Sequence, residues 1–229
     1  MSAGVALIIP VLDEAETIGE VVRAVPRDIV DEVIVVDGGS TDETVARARA
    51  AGARVILEPR SGYGAACLAG VLATEQPVLA FIDGDGSDDP AEIPRVVKPI
   101  LVGEQDFVIG SRARGVREKG SMGMHQLLAG HAAGLIMRVL YGVRYTDMCP
   151  LRAIRRDALE KLGMRERTYG WNLEMQMRAA RAGLRILELP VRHRNRAGGA
   201  SKVAGSLRGS LRASWQIASA LVRIAHEMR

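Results

Sequence analysis

Four aspartates and two glycines lie within the ten residues FIDGDGSDDP, Phe81 to Pro90, directly after an apolar run. Asp83 and Asp85 are separated by one glycine, which lets the backbone bend and permits close approach. Two such carboxylates suit Mg²⁺ or Mn²⁺, because both ions favour oxygen ligands, and the ion could hold a diphosphate on its other side. The alternative is a solvated turn in which Asp88 or Asp89 caps the next helix. The residue types leave both interpretations open.

Short apolar runs alternate with helical patterns through the first half of the chain. This alternation predicts an α/β fold, with a mainly parallel sheet, right-handed crossovers and helices on both faces. Strands are predicted at Val5–Pro10, Val33–Asp37, Arg54–Leu57, Val78–Asp83 and Asp106–Gly110. Ligands bind such sheets outside the carboxyl ends of the strands. Four polar segments are expected at that edge: Pro10–Glu14, Asp37–Thr41, Arg60–Gly64 and Asp83–Asp89.

The second half of the chain is less regular and contains two loops rich in glycine and charge. The pattern predicts, in order, a loop over Arg112–Met124, a helix over His125–Leu140, a strand and short helix within Thr146–Leu159, a helix over Tyr169–Gly183, a strand within LRILELPV and a basic loop over Arg192–Lys202. From Leu207 onward, apolar residues recur on one face, which is typical of an amphipathic helix.

Charge, cysteine spacing and the length of apolar runs limit the class of protein, and they disfavour a zinc-binding or membrane-spanning chain. The chain has 229 residues and a net charge of +4, and only four of its 31 basic residues are lysines, so arginine is available to grip phosphate with paired hydrogen bonds. Cys67 and Cys149 form no metal-binding spacing, and we expect buried free thiols in a reducing cytosol. No uncharged apolar run reaches the ~18 residues that span a bilayer. We therefore expect a cytoplasmic protein, with peripheral contact at the inner face of the membrane left open.

Nucleic-acid binding and dehydrogenase chemistry are disfavoured on separate grounds. Acidic residues at the strand ends would repel a phosphate backbone, and only 3% of the residues are aromatic, which leaves little for base stacking. The first strand is followed by PVLDEAE, whereas a Rossmann dehydrogenase has a glycine-rich GxGxxG turn there.

A series of segments, taken together and in order, resembles the family 2 glycosyltransferases, in particular those that transfer sugars to polyprenyl phosphates. The segments are IIPVLDEAETI, VIVVDGGSTDET, GYGAACLAG, FIDGDGSDDP, VIGSR, LRAIRRDAL, YGWNLEMQMRAARAGLRILELPV and GGASK. The resemblance implies a hexosyltransferase with a GT-A fold, which inverts the anomeric centre of a UDP-glucose or GDP-mannose type of donor. It also implies that Mg²⁺ or Mn²⁺ binds Asp83 and Asp85.

The resemblance implies one domain over residues 1–205, with a nucleotide-binding half (1–110) and an acceptor half with a lid (111–205), followed by the amphipathic helix (206–229). Donor-binding positions are expected at Pro10, Val11, Glu14, Asp37, Gly62, Gly64, Asp83, Gly84, Asp85, Arg194 and Lys202. Several positions depart from the usual family pattern. Asp13 stands where asparagine is usual, Gly38 where many members have aspartate, Tyr63 where lysine is common, and Cys149–Pro150–Leu151 where Ser-Gly-Phe is more usual.

The acceptor decides which groups the chemistry needs. A lipid phosphate is already ionised, so positive groups that position it suffice, and Arg112 matches an acceptor-phosphate arginine of the family. Weaker candidates to assist it are Arg117, Lys119, His125 and His131. A hydroxyl acceptor instead needs a carboxylate base, for which Asp147 and Glu174 are the candidates. The alternative for Glu174 is a surface pair with Arg178, four residues later.

Three questions stay open on the sequence alone: the function, the role of the basic loop and the role of the terminal helix. The same donor chemistry could act on a small acceptor with a hydroxyl group, or the chain could bind nucleotide sugars without catalysis. The basic loop from Arg192 to Lys202 is expected to close over the donor diphosphate, with a solvated loop as its alternative. The terminal helix could contact an anionic membrane, pack on the domain or join two copies of the chain in a homo-oligomer.

Overall fold

The structure is a computed structural model that describes residues 4–60, 62–118, 120–121, 130, 134–135, 137–196 and 223. The described residues form one seven-stranded sheet. Its strands are β1 (Val5–Val11), β2 (Glu32–Asp37), β3 (Arg54–Leu57), β4 (Val78–Phe81), β5 (Phe107–Ser111), β6 (Arg152–Arg155) and β7 (Ile186–Pro190). The helices are α1 (Ile18–Arg23), α2 (Thr44–Ala50), α3 (Tyr63–Leu72), α4 (Ile93–Leu101), α5 (Arg156–Leu162) and α6 (Trp171–Arg181), and a 3-10 turn spans Pro90–Glu92.

The strands are arranged in the order β3-β2-β1-β4-β6-β5-β7. Strands β1 to β4 run parallel to one another, and β7 runs parallel to β5. Strand β6 lies between β4 and β5 and runs antiparallel to both. The predicted α/β fold with a mainly parallel sheet is therefore confirmed, and the reversed strand is the feature that the sequence pattern did not reveal.

Strand β1 lies at the centre of the core, and all seven of its residues are buried. Ile8 faces α3, because a β-carbon added to Gly70 of that helix would lie 2.4 Å from Ile8 Cγ2. Ile9 belongs to the opposite face, where a β-carbon on Gly84 would lie 3.5 Å from both Ile9 Cγ2 and Ile18 Cδ1. Apolar side chains on alternating faces of a strand need cover on both sides, and α3 and α1 provide it.

The predicted strands of the first half match the observed ones closely, although β4 ends at Phe81, two residues before the predicted end. Both cysteines are buried free thiols, as expected. Residues 137–141 are helical, but most of the predicted helix His125–Leu140 lies outside the described residues. The same is true of the terminal helix, of which the structure describes residue 223 alone. Among the described residues, no helix combines the length and apolar character needed to cross a bilayer.

The contact between α3 and β1 yields a stability prediction. We expect Gly70→Ala to lower the free energy of unfolding by about 1–3 kcal/mol, because the added methyl group would overpack against Ile8 and Val36. The matched control is Gly19→Ala in α1, whose β-carbon would meet its nearest atoms at 3.4 Å and should stabilise the helix by up to about 1 kcal/mol. Urea denaturation of both variants measures the difference, and equal stabilities would contradict the proposed packing.

Candidate active site

The loops that follow β1, β2 and β4 meet at the carboxyl edge of the sheet. Asp13, in the left-handed region at φ 48°, accepts a hydrogen bond from the backbone N–H of Thr41 at 2.8 Å. The backbone N–H of Glu14 donates to Thr44 Oγ1 at 2.8 Å, and Thr17 Oγ1 donates to the carbonyl of Gly84 at 2.7 Å. The expected clustering of polar segments at one edge is thus present for these three loops.

Asp37 is a buried carboxylate at the end of β2, where it pairs in register with Val11. Its Oδ2 accepts hydrogen bonds from the backbone N–H groups of Gly39 and Ser40, both at 3.0 Å. Its Oδ1 is also buried and has no hydrogen-bond partner among the described residues. A buried carboxylate oxygen without a donor is costly, so this atom is suited to accept a hydrogen bond from a ligand. Pro10, a residue earlier than Val11 on β1, pairs with Val36.

The predicted donor-binding glycines pack against protein. A β-carbon on Gly62 would lie 2.2 Å from the carbonyl oxygen of Arg167, and one on Gly64 would lie 2.7 Å from that of Glu166. A β-carbon on Gly84 would lie 2.5 Å from Val11 Cγ1. Glycine is therefore needed at each of these positions for close packing within the chain, and contact of these glycines with the donor stays a prediction.

The acidic turn places Asp83 next to the α3 helix. Tyr63, the first residue of α3, donates its hydroxyl to Asp83 Oδ1 at 3.1 Å. Burial, together with the charges of Asp85 and Asp88, raises the pKa of Asp83 to about 8, and Arg112 acts in the opposite direction. Three carboxylates this close favour the binding of a cation. Asp89 caps the following 3-10 turn through the N–H of Ala91, so the capping alternative describes Asp89 only.

Arg196 supplies positive charge to this edge. Its guanidinium contacts Asp85 Oδ2 at 3.3 Å through Nη1 and Glu14 Oε1 through Nη2. Asp85 Oδ1 accepts hydrogen bonds from the backbone N–H and the hydroxyl of Ser87. Within this basic segment, Arg194 and Lys202 were predicted to bind the donor, and Arg196 was not singled out. The available signal was the two-residue spacing from Arg194, which places the two side chains on one side of an extended segment.

The residues of the acidic turn fit a divalent cation that also binds a substrate. Among the described residues, no group of three or more histidine, cysteine, aspartate or glutamate side chains is arranged to hold a metal ion. Asp83 and Asp85 supply two hard oxygen donors, and Mg²⁺ is usually bound by one or two carboxylates together with substrate phosphates. The donor set therefore suits an ion that completes its coordination with a diphosphate.

The basic segment before residue 197 lies against the acidic turn. The backbone N–H of Arg194 donates to the carbonyl of Ser87 at 2.9 Å, and Arg194 Nη2 contacts Asp89 Oδ2 at 2.8 Å. His193 is buried with Nδ1 3.8 Å from Asp88 Oδ1. Lys202, Lys119, His125 and His131 lie outside the described residues, and Arg117 is exposed.

Arg112 and Asp147 form a bidentate ion pair at the end of β5. Arg112 Nε donates to Asp147 Oδ2 at 2.8 Å and Nη2 donates to Oδ1 at 2.7 Å, while the Arg112 backbone N–H also donates to Oδ2. Burial raises the pKa of Asp147, but the hydrogen bonds and charge of Arg112 outweigh burial and the net pKa is lowered. A carboxylate held in this way is a weak base. Asp147 orients the Arg112 guanidinium in this structure, and a general-base role for Asp147 with a hydroxyl acceptor stays a prediction.

Glu174 is also engaged in the interior. It is 1% exposed, accepts hydrogen bonds from the backbone N–H groups of Arg165 and Glu166, and forms an ion pair with Arg178 at 2.8 Å. The pairing with Arg178 was the alternative from the sequence, but it was expected at the surface, whereas Glu174 is buried and Arg178 is partly buried. These bonds engage both carboxylate oxygens, and we assign Glu174 to holding the 165–166 backbone in place of general-base chemistry.

The one described residue of the terminal segment contacts the domain. Arg223 forms an ion pair with Glu166, whose carboxylate also accepts a hydrogen bond from the backbone N–H of Thr168 at 2.8 Å. This contact places Arg223 itself against the domain, and the three alternatives for the rest of the terminal segment stay predictions.

Comparison with known proteins identifies relatives of the whole chain. It is 40% identical over 211 residues to an uncharacterised glycosyltransferase of Mycobacterium tuberculosis, covering 90% of this chain and 93% of the relative. It is 33% identical to the undecaprenyl-phosphate mannosyltransferase of Micrococcus luteus, covering 90% and 89%.

Solved structures match as well. The crystal structure of glucosyl-3-phosphoglycerate synthase from Mycobacterium tuberculosis with Mn²⁺ and UDP-glucose has a TM-score of 0.78 and 27% identity, covering 97% of this chain and 79% of that one. The same synthase has been crystallised with Mn²⁺, UDP and phosphoglyceric acid. The family model for glycosyl transferase family 2 matches residues 6–163. This chain therefore belongs to glycosyl transferase family 2 and is a glycosyltransferase with a GT-A type of fold.

Proposed function

We propose that this enzyme transfers a sugar from a nucleotide sugar to a polyprenyl phosphate, with inversion at the anomeric carbon. The observation that carries the proposal is that both candidate bases are held in ion pairs. Asp147 is paired with Arg112, and Glu174 is paired with Arg178. An ionised phosphate acceptor can attack without a base, whereas a hydroxyl acceptor needs one. The undecaprenyl-phosphate relative supports the same acceptor class.

The donor is proposed to lie along the carboxyl edge of the sheet. Asp37 Oδ1, Glu14 and the backbone near Pro10 and Val11 would hold the nucleoside, and Asp83 and Asp85 would hold Mg²⁺ or Mn²⁺. When bound, the ion would neutralise charge that develops on the leaving diphosphate. Arg196 and Arg194 already lie at this edge, and with Lys202 they would contact the diphosphate and exclude water.

Arg112 would position the acceptor. Asp147 fixes its guanidinium through two parallel bonds, and the side chain of Arg112 keeps 18% of its surface exposed, enough to present N–H groups to a phosphate. The charge of Arg112 also acts to lower the pKa of Asp83, which supports placing the proposed donor and acceptor groups in one site. The acceptor oxygen would attack the anomeric carbon from the side opposite the departing nucleoside diphosphate, which gives inversion.

A small acceptor with a hydroxyl group is the second candidate. The synthase that was crystallised with phosphoglyceric acid shares the fold over 97% of this chain. Arg112 would suit the phosphate of such an acceptor equally well. The hydroxyl would then require a base other than Asp147 or Glu174 in their present pairings.

A binding panel followed by a product assay tests the proposed function. Melting temperatures are measured with UDP-glucose, GDP-mannose and related sugars, each with and without Mn²⁺, because a ligand that binds the folded state raises the melting temperature. The preferred donor is then incubated with undecaprenyl phosphate in detergent or with phosphoglyceric acid, and products are analysed by mass spectrometry. Sugar transfer to undecaprenyl phosphate is expected. Transfer to phosphoglyceric acid and not to undecaprenyl phosphate would overturn the proposed lipid acceptor, while the proposed nucleotide-sugar donor would stand.

Removal of a proposed metal ligand should affect turnover far more than folding. We expect Asp85→Ala to lower the transfer rate by about 100-fold or more, because charge on the leaving diphosphate would lose its stabilisation. Removing one of three crowded carboxylates should leave the melting temperature near that of the wild type. Asp157→Ala, which removes a half-exposed carboxylate paired with Arg155, is the control. Wild-type turnover in Asp85→Ala would refute the metal assignment.

The structural role of Glu174 predicts tolerance of an isosteric change. Glutamine at this position keeps one oxygen that can accept from the 165–166 backbone but cannot act as a base. Its NH₂ group would face the Nε–H of Arg178, so the variant should lose stability, and the rates are compared at a temperature at which it is folded. We expect Glu174→Gln to retain transfer within about tenfold of wild type, since a general base contributes about 100- to 10,000-fold. Initial rates at saturating substrates, with circular dichroism as the check on folding, provide the measurement. A folded variant with a loss of about 100-fold would restore Glu174 as the base.

A further inference from the structure

We propose that Tyr63 is a positioning residue for the metal site, because its hydroxyl fixes the carboxylate of Asp83. This inference rests on the proposed function, in which Asp83 and Asp85 hold a divalent cation. Tyr63 Oη donates to Asp83 Oδ1 at 3.1 Å, and the Tyr63 ring packs against the hydrophobic core. A hydrogen bond to one carboxylate oxygen limits rotation of the whole group, so the second oxygen is held in place for a cation.

The position of Tyr63 is fixed by its neighbours on both sides. Gly62, at φ 139°, and Gly64 pack so closely on residues 166 and 167 that neither has room for a β-carbon. The backbone N–H of Gly64 donates to the carbonyl of Thr168 at 3.2 Å, and that of Ala65 donates to Arg167 at 2.9 Å. The start of α3 is thereby attached to the 165–168 loop, and Tyr63 cannot shift independently of that loop.

Two buried glutamates hold this loop in turn. Glu174, on α6, accepts hydrogen bonds from the backbone N–H groups of Arg165 and Glu166. Glu166 accepts from the backbone N–H groups of Arg167 and Thr168, at 3.0 and 2.8 Å. A continuous set of contacts therefore runs from α6 through the loop to Tyr63 and ends at the Asp83 carboxylate. Supporting shells of this kind determine how well a ligand side chain is placed.

The chemical type of Tyr63 matters as well as its position. A phenol donates a hydrogen bond and stays neutral at physiological pH, so it orients Asp83 without cancelling its charge. An ammonium group at the same position would be a cation next to Asp83 and would compete electrostatically with a metal ion. Tyrosine therefore leaves the charge of the acidic turn available, and we infer that it makes this site more dependent on a bound cation than lysine would.

The test measures metal binding directly. Binding of Mn²⁺ is titrated by electron paramagnetic resonance in the presence of UDP, and in a parallel series with GDP, for wild type and variants. We expect Tyr63→Phe to raise the Kd for Mn²⁺ by about 10-fold or more, the range typical of groups that support a metal ligand. Saturating Mn²⁺ should recover most of the lost transfer rate, because the ligands themselves remain. Tyr63→Lys should bind Mn²⁺ more weakly still.

Tyr145→Phe is the matched control. Tyr145 is a buried tyrosine whose hydroxyl also makes a 3.1 Å hydrogen bond, in this case to the carbonyl of Gln176. The Tyr145→Phe variant should lose about as much stability as Tyr63→Phe does and should bind Mn²⁺ with the affinity of wild type. If wild type binds Mn²⁺ and Tyr63→Phe binds it equally well, the role of the Tyr63 hydroxyl is overturned and the metal site stands, whatever the affinity of Tyr63→Lys. If wild type binds no Mn²⁺ with either nucleotide, the metal part of the proposed function is overturned together with this inference.

Discussion

Electrostatic repulsion among carboxylates at the end of β4 is the constraint on which the site depends. Asp83, Asp85 and Asp88 lie within six residues, and burial together with the charges of the other two raises the pKa of Asp83. Folding brings Glu14 to the same edge through the guanidinium of Arg196. Such an assembly is stable only when positive charge or protons compensate it. The fold meets this requirement with a side chain from a distant segment, and a divalent ion would meet it more fully.

The first half of the chain could be predicted well from sequence because its signals are local. Each strand from β1 to β5 is an apolar run bounded by polar or turn residues, and the placement of Asp37 and Asp83 at the carboxyl edge follows from the parallel arrangement alone. Where a prediction depended on which partner a side chain meets, the sequence was insufficient. Donor binding by glycines 62, 64 and 84 stays a prediction, and their close packing on the 166–167 backbone or on Val11 was not foreseen.

The second half of the chain was harder to predict, because partners far apart in the sequence determine the surroundings of its charged side chains. Asp147 and Glu174 are carboxylates in local sequences that suit a general base. Nothing near Asp147 in the sequence shows that it would pair with Arg112, 35 residues away. A pair with Arg178 was one of two alternatives for Glu174. Its hydrogen bonds to the 165–166 backbone depend on a loop whose path periodicity does not predict. Arg196 was overlooked for the same reason, since its partner Glu14 is 182 residues earlier.

The reversed direction of β6 has a consequence for how this enzyme is built. In an all-parallel sheet, only segments that leave a strand reach the catalytic rim, and segments that enter a strand lie at the far side. Arg152, the first residue of β6, pairs with Phe81 at the end of β4, so the chain arrives at the rim just before it begins this strand. Asp147 comes from that arriving segment, and it meets Arg112, which departs from β5. One inverted strand thus places an incoming and an outgoing segment side by side at the same edge of the sheet, where the two substrates are proposed to meet.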